Sequence, residues 1–279
     1  MLAFPIGGLV GHKKGPKFAL YAAAAIQALN ALILIFITPE SHDPEPERVV
    51  DLLRQDNPMG GLVRLFGGGG AHSGKGSPSA SLLRIASLAY FLAALARCSL
   101  DTQFPNYTNI RFGWTQAQSG PVLVLVGLML AVIPRLLVPL LGLRHCIVTG
   151  LLVFALGLAG AGLAPTPRQF VAAIAVVAVG AICMPTLQAL LANLAHPDER
   201  GALLGAVGSL NELTAAIGST MYAVILAKFT ANDAPLPLPG MHFLVAAALL
   251  VMAWGLTWPG LKAHKDSAAF ELGDAVVDF

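Results

Sequence analysis

The chain has 279 residues, 56% of them hydrophobic and only 11% charged, with a formal net charge of +2. An ordinary soluble domain carries about 25% charged residues. With a mean hydropathy of +0.72, a water-soluble fold is excluded and an all-α polytopic membrane protein is indicated. No block of basic residues with interleaved aromatics is present, so a nucleic-acid partner is excluded as well.

Taken in order, residues 1–11 lack the basic start and continuous apolar core of a signal peptide and read as the tail of an interrupted apolar helix. Apolar runs long enough to cross about 30 Å of hydrocarbon follow at 18–38, 81–101, 118–141, 145–164, 169–193, 203–227 and 241–259. The sequence therefore predicts about seven transmembrane helices. Residues 42–80 are rich in charge, Pro, Gly and Ser and read as a linker. Residues 262–279 read as a polar tail. The expected organisation is 1–41, the 42–80 linker, a six-helix bundle over 81–261, and the tail. Placing the linker and tail on the cytoplasmic side puts more Lys and Arg inside than outside, as orientation rules ask.

Small residues crowd the spans. Gly157, Gly160, Gly162, Gly201, Gly205, Gly208 and Gly218 are expected to let helix backbones approach closely, the main source of packing between helices in lipid. Cys98, Cys146 and Cys183 lie in apolar runs with no zinc or redox spacing. No metalloprotease, hydrolase or phosphate-cradling motif occurs, and Gly67–Gly70 lacks a following Lys-Ser/Thr. No enzyme activity, metal or cofactor is expected.

Charges inside apolar spans are costly and face protein or a water-filled cavity. Glu212 lies nine residues past Leu203, about 13 Å along a helix at 1.5 Å per residue, on one face with Gly201, Gly205, Gly208 and Ser219. It reads either as a carboxylate that exchanges a proton or as an acid sealed between helices. Arg97 and Asp101 are spaced for an ion pair one turn apart, structural or facing a substrate. Arg135 either snorkels to lipid phosphate or serves as counter-charge to Glu212 or an anionic substrate. Gln188 and Asn211 are intramembrane amides, the residue type that bonds substrates or joins helices. The Asp198-Glu199-Arg200 turn reads as a helix start, with acids at the dipole, or as ion pairs holding a gate, with Gly201 and Gly205 beginning the next helix.

Several stretches resemble the major facilitator superfamily, specifically its drug:proton antiporter branch and the tetracycline-efflux-like proteins within it. Pro5-Ile-Gly-Gly-Leu-Val-Gly11 resembles the end of that branch's fifth-helix motif. Tyr21-Ala-Ala-Ala-Ala-Ile-Gln-Ala-Leu-Asn30, closing at Pro39-Glu40-Ser41, resembles its sixth helix. Tyr107-Thr108 and Arg111-Phe-Gly-Trp114 resemble the loop between helices seven and eight. Met184-Pro-Thr-Leu-Gln-Ala-Leu190, Asp198-Glu-Arg200 and Gly201-Ala-Leu-Leu-Gly205 resemble helix ten, its inside loop and the start of helix eleven. The chain departs at Phe4, at Ser219 and in the short turn around Gly142-Leu-Arg-His145.

The resemblance implies a secondary active transporter of small molecules working by alternating access, in proton-coupled antiport or efflux. Its partners would be a small-molecule substrate, protons and the lipid bilayer. Glu212, Arg97, Asp101, Arg135, Gln188 and Asn211 would line the substrate and proton pathway. Asp198, Glu199, Arg200, Gly201 and Gly205 would gate it. The resemblance begins within the fifth of about twelve helices. The expectation is therefore a truncated gene model or a half that needs the missing N-terminal half or a partner half. A non-transporting membrane fragment and a seven-helix receptor or sensor are the alternatives.

Overall fold

The computed structural model describes residues 16–36, 78–194, 200–231, 234–236 and 238–263. Every element among them is a helix: α1 (Pro16–Phe36), α2 (Pro78–Phe112), α3 (Gln116–Leu163), α4 (Pro167–Gly180), α5 (Cys183–Leu194), α6 (Arg200–Thr230) and α7 (Met241–Ala263). The chain divides into two units, residues 1–57 with 114–124, and 58–113 with 125–279. In the first, the described residues are α1, largely exposed, and the entry to α3, where Thr115 N–H donates to Gln118 Oε1 at 3.0 Å.

The second unit is organised around α2, which packs against α5, α6 and α7. Leu82, Ala86, Ala89, Tyr90, Ala93 and Ala96 are buried along it. The small side chains let neighbours come close. A Cβ on Gly218 of α6 would stand 2.7 Å from Cys98 Cβ, and one on Gly260 of α7 would stand 2.7 Å from Ile85. Lipid supplies no hydrophobic drive between helices, so this close packing is what binds the bundle.

Three boundaries differ from the expected spans, each for a local reason. Span 81–101 continues as helix to Phe112, taking in Tyr107, Thr108 and Arg111, which were expected in a loop. Thr102 and Thr108 return hydroxyl hydrogen bonds to the carbonyls of Cys98 and Phe104 at 2.6 and 2.9 Å. The helix stops at Gly113, with φ +66° and its N–H bonded to Asn109 O, an end that favours glycine.

The turn expected near 142–145 is a single residue. Gly142 adopts φ 75°, ψ 158° inside α3, a region open essentially to glycine alone. The chain folds back there: Cys146 Sγ comes within 3.6 Å of Leu137 O, although nine residues of straight helix would separate them by about 13 Å.

Span 169–193 is two helices, α4 and α5. Thr166 caps α4, accepting from Gln169 N–H at 3.4 Å, with Pro167 in the first turn. Pro185 has no N–H to continue the ladder, and the carbonyl of Ala181 instead takes Met184 N–H at 3.1 Å. The second half of α3 packs backbone to backbone on α4, where a Cβ on Gly180 would overlap the main chain of Phe154. Among the described residues, five helical stretches are by length and composition able to cross a membrane: 81–112, 118–163, 167–194, 200–230 and 241–263. The second of these is broken at Gly142.

Candidate functional site

A polar hub joins three helices in the middle of the second unit. Tyr90 of α2 is fully buried. Its hydroxyl accepts from Gln188 Nε2 of α5 at 2.7 Å and from Asn211 Nδ2 of α6 at 2.9 Å. It donates toward Asn211 Oδ1 at 3.1 Å. A phenol has one proton to give and two lone pairs to fill, so Tyr90 is saturated. The amides are not: Gln188 and Asn211 are half-buried, and Gln188 Oε1 is open to a further donor.

The hub lies deep in the helices. Tyr90 is twelve residues into α2 and Asn211 eleven residues into α6, about 17 Å from each start. About two turns further along α2 and one along α6, Cys98 Sγ donates to the carbonyl of Thr214 at 3.5 Å, continuing the α2–α6 contact.

The exposed charges flank this hub. Arg97 and Asp101 form the expected pair, Nε to Oδ2 at 3.0 Å, with 44% and 47% of their side chains exposed. Positions 90, 97 and 101 are seven and four residues apart, which places Tyr90, Arg97 and Asp101 on one face of α2. On α6, Glu212 follows Asn211 directly and is exposed. The packed face of α6 carries Val207, Leu210, Thr214 and Gly218; at 100° per residue Glu212 is on the opposite side. Within this chain Glu212 is thus exposed and not enclosed by the neighbouring helices.

Charges in a membrane-length helix do not face lipid tails.

Arg135, on the first half of α3, is exposed. Neither it nor Glu212 has a bonded partner among the described residues, so these two charges do not pair there. Asp198 and Glu199 lie outside the described residues. Arg200, Gly201 and Gly205 begin α6 and are exposed. A Cβ on Gly201, Gly205 or Gly208 would meet nothing within 4 Å. Of the glycines expected to let helices approach closely, Gly157, Gly162 and Gly218 do so, Gly157 against the Val177 backbone and Gly162 against the carbonyl of Gly240, whereas Gly201, Gly205 and Gly208 do not among the described residues. Among the described residues no three His, Cys, Asp or Glu side chains converge as metal ligands.

The family model of the Major Facilitator Superfamily matches residues 86–275. The chain belongs to the major facilitator superfamily. It is an integral, multi-pass membrane protein of this superfamily. It is 25% identical over 257 residues to tetracycline resistance protein, class C, of Escherichia coli, covering 90% of this chain and 60% of that protein. It is 27% identical over 232 residues to the class E protein of Escherichia coli, covering 81% and 53%. It is 24% identical over 244 residues to the human hippocampus abundant transcript 1 protein, covering 84% and 47%. The chain thus spans roughly half to three-fifths of the length of these relatives.

Reading the superfamily member's sequence alone found Gln188 and Asn211 but missed Tyr90, which holds them together. The available signal was a phenol within an apolar run, on the helix face that carries Arg97 and Asp101. A second feature was also missed. Phe104, Tyr107, Phe170, His242 and Phe243 form a buried ring cluster, with centroids of Tyr107–Phe243 at 5.1 Å and Phe104–Phe170 at 5.8 Å. It ties the far end of α2 to the starts of α4 and α7.

Proposed function

We propose that this chain forms the substrate-binding half of a secondary transporter that moves small molecules across a membrane by alternating access, in proton-coupled antiport or efflux. The observation that carries the reading is the hub of Tyr90, Gln188 and Asn211, half-open and deep within the helices. Membrane-protein sites of this kind lie near the bilayer midplane between two helical halves. The family and the tetracycline-resistance relatives support transport of small molecules.

In this reading Gln188 and Asn211 bond the polar groups of a substrate, and Tyr90 holds both amides in place. Arg97 and Asp101 bind or orient its charge. Glu212 takes up a proton when the cavity opens to one side and releases it on the other. Arg135 lines the approach. Asp198, Glu199, Arg200, Gly201 and Gly205 form a hinge at the inner end. A second helical half, in the same or another polypeptide, closes the cavity against the open faces of α3 and α6. The share of the relatives' length that this chain spans supports this arrangement.

The test is transport by vesicles containing this chain and any partner half, driven by an imposed pH gradient. Glu212→Gln abolishes uptake driven by the gradient while leaving substrate binding in place. Gradient-driven uptake at the unmodified rate in Glu212→Gln would remove Glu212 from the mechanism.

A further inference from the structure

One member of the ring cluster is not a simple hydrophobe. His242, the second residue of α7, is fully buried, and neither its Nδ1 nor its Nε2 makes a hydrogen bond. Its ring centre lies 4.0 Å from that of Phe243 and 5.2 Å from that of Tyr107. Phenylalanine would fill the same space and leave no donor or acceptor unmet, and an unmet buried polar group costs stability. Packing alone therefore does not account for an imidazole here.

The cluster is a joint between helices. Tyr107, near the end of α2, touches Phe170 of α4 at 5.5 Å as well as His242 and Phe243 of α7. Beside it, α3 meets the start of α7 backbone to backbone at Gly162 and Gly240.

The two charge states of the ring ask different things of this joint. Neutral imidazole carries one N–H donor and one acceptor, whereas imidazolium carries two donors and a full charge. The carbonyl of Pro239 approaches the ring but completes no hydrogen bond with it. The titratable and charged groups on the surrounding elements are Tyr107 and Arg111 of α2, Arg168 at the start of α4 and Lys228 near the end of α6; residues 157–163 of α3 bring none. Asp233 lies outside the described residues. The N-terminus of α7 adds a partial positive charge of its own. An imidazolium thus has no counter-charge among the described groups, and its two N–H donors find partners only if the rings part and admit water or a carbonyl.

A route for water adjoins the joint. A cavity of about 410 Å³ is lined by Arg111 of α2, Thr230 of α6 and Pro239. Pro239 therefore borders both the cavity and the imidazole.

We propose that His242 is a proton-binding site that latches the far end of the bundle: neutral, it completes the ring cluster that holds α2 to α4 and α7, and on taking a proton by way of the cavity at Pro239 it parts them. The open form binds the proton and the closed form does not, so acid favours the open form. The proposal stands on the ring cluster and not on the transport reading, and its test involves no substrate.

Hydrogen–deuterium exchange of the full chain in lipid nanodiscs, read by mass spectrometry at about pH 7.5 and about pH 5.5 and corrected for the intrinsic pH dependence of amide exchange, tests this. A solvated imidazole titrates near 6.5, so the open population rises about tenfold between these two conditions. The amides of residues 104–112, 170–176 and 243–249 lose protection by that factor in acid, while those of 86–94, around Tyr90, keep theirs. His242→Phe abolishes the acid response, and so does His242→Gln, which is polar but takes no proton; the two differ enough in shape to keep the test decisive if one misfolds. His145→Gln, in the exposed turn after Gly142, leaves the response as it was. Unchanged protection of the three segments in the unmodified chain would overturn the proposal. So would slower exchange in acid, the sign of a carboxylate such as Asp233 receiving the proton, an equal loss around Tyr90, or an acid response that persists in both His242 variants.

Discussion

Tyr90 shows how one hydroxyl can fix three helices. It accepts from two amides, 98 and 121 residues away in sequence, and returns its own proton to one of them. Tyr90→Phe removes that hub without changing the ring. Hydrogen bonds between helices in a membrane average about 0.6 kcal/mol and reach about 1.7, so thermal unfolding should show a loss of about 1 kcal/mol. In a double-mutant cycle, Tyr90→Phe and Gln188→Leu should be non-additive, because both remove the same bond; strict additivity would show that the hub is not formed. Arg97→Gln is expected to behave in the opposite way. An exposed ion pair contributes about 0–1 kcal/mol, so stability should barely change while substrate affinity falls. A large stability loss with unchanged affinity would make Arg97 and Asp101 a structural pair. Gln188, Asn211 and the Arg97–Asp101 pair were legible in the sequence because polar groups in apolar runs stand out. Tyr90 was not, since an aromatic residue in such a run reads as core until its distant partners are placed. The side on which Glu212 faces was equally hidden: its glycine face was readable by periodicity, but only packing shows that α6 buries the other one.

At the scale of elements, the helices were readable and their ends less so. Apolar run length locates spans, but helix ends are set by individual bonds. Gly113 and its αL cap carry α2 to Phe112, and Pro185 splits α4 from α5. The hairpin at Gly142 was visible only as a short turn. Its φ and ψ belong to a region that costs other residues about 1–3 kcal/mol, so Gly142→Ala should lower stability by that much. Gly205→Ala makes the contrast. It lies in a regular helix with open space beside it, and alanine improves helix propensity there by up to about 1 kcal/mol. Stability of this chain should therefore hold or rise in Gly205→Ala. A loss comparable with that of Gly142→Ala would mean that another surface already packs on Gly205.

At the scale of the whole molecule, hydropathy alone identified a membrane protein, and the ordered motifs identified the superfamily that the family model then matched. The account rests on one physical claim: the exposed charges beside the hub face water within the membrane. Labelling of single introduced cysteines by a water-soluble, membrane-impermeant thiol reagent tests it most directly. Cys98, Cys146 and Cys183 are buried, so their background reaction should be low. In membranes containing the chain and any partner half, Arg97→Cys and Glu212→Cys should label readily. Leu156→Cys and Val251→Cys, exposed at apolar positions of α3 and α7, should not. If Arg97→Cys and Glu212→Cys label no faster than Leu156→Cys, those faces are dry and the hub does not border a transport cavity.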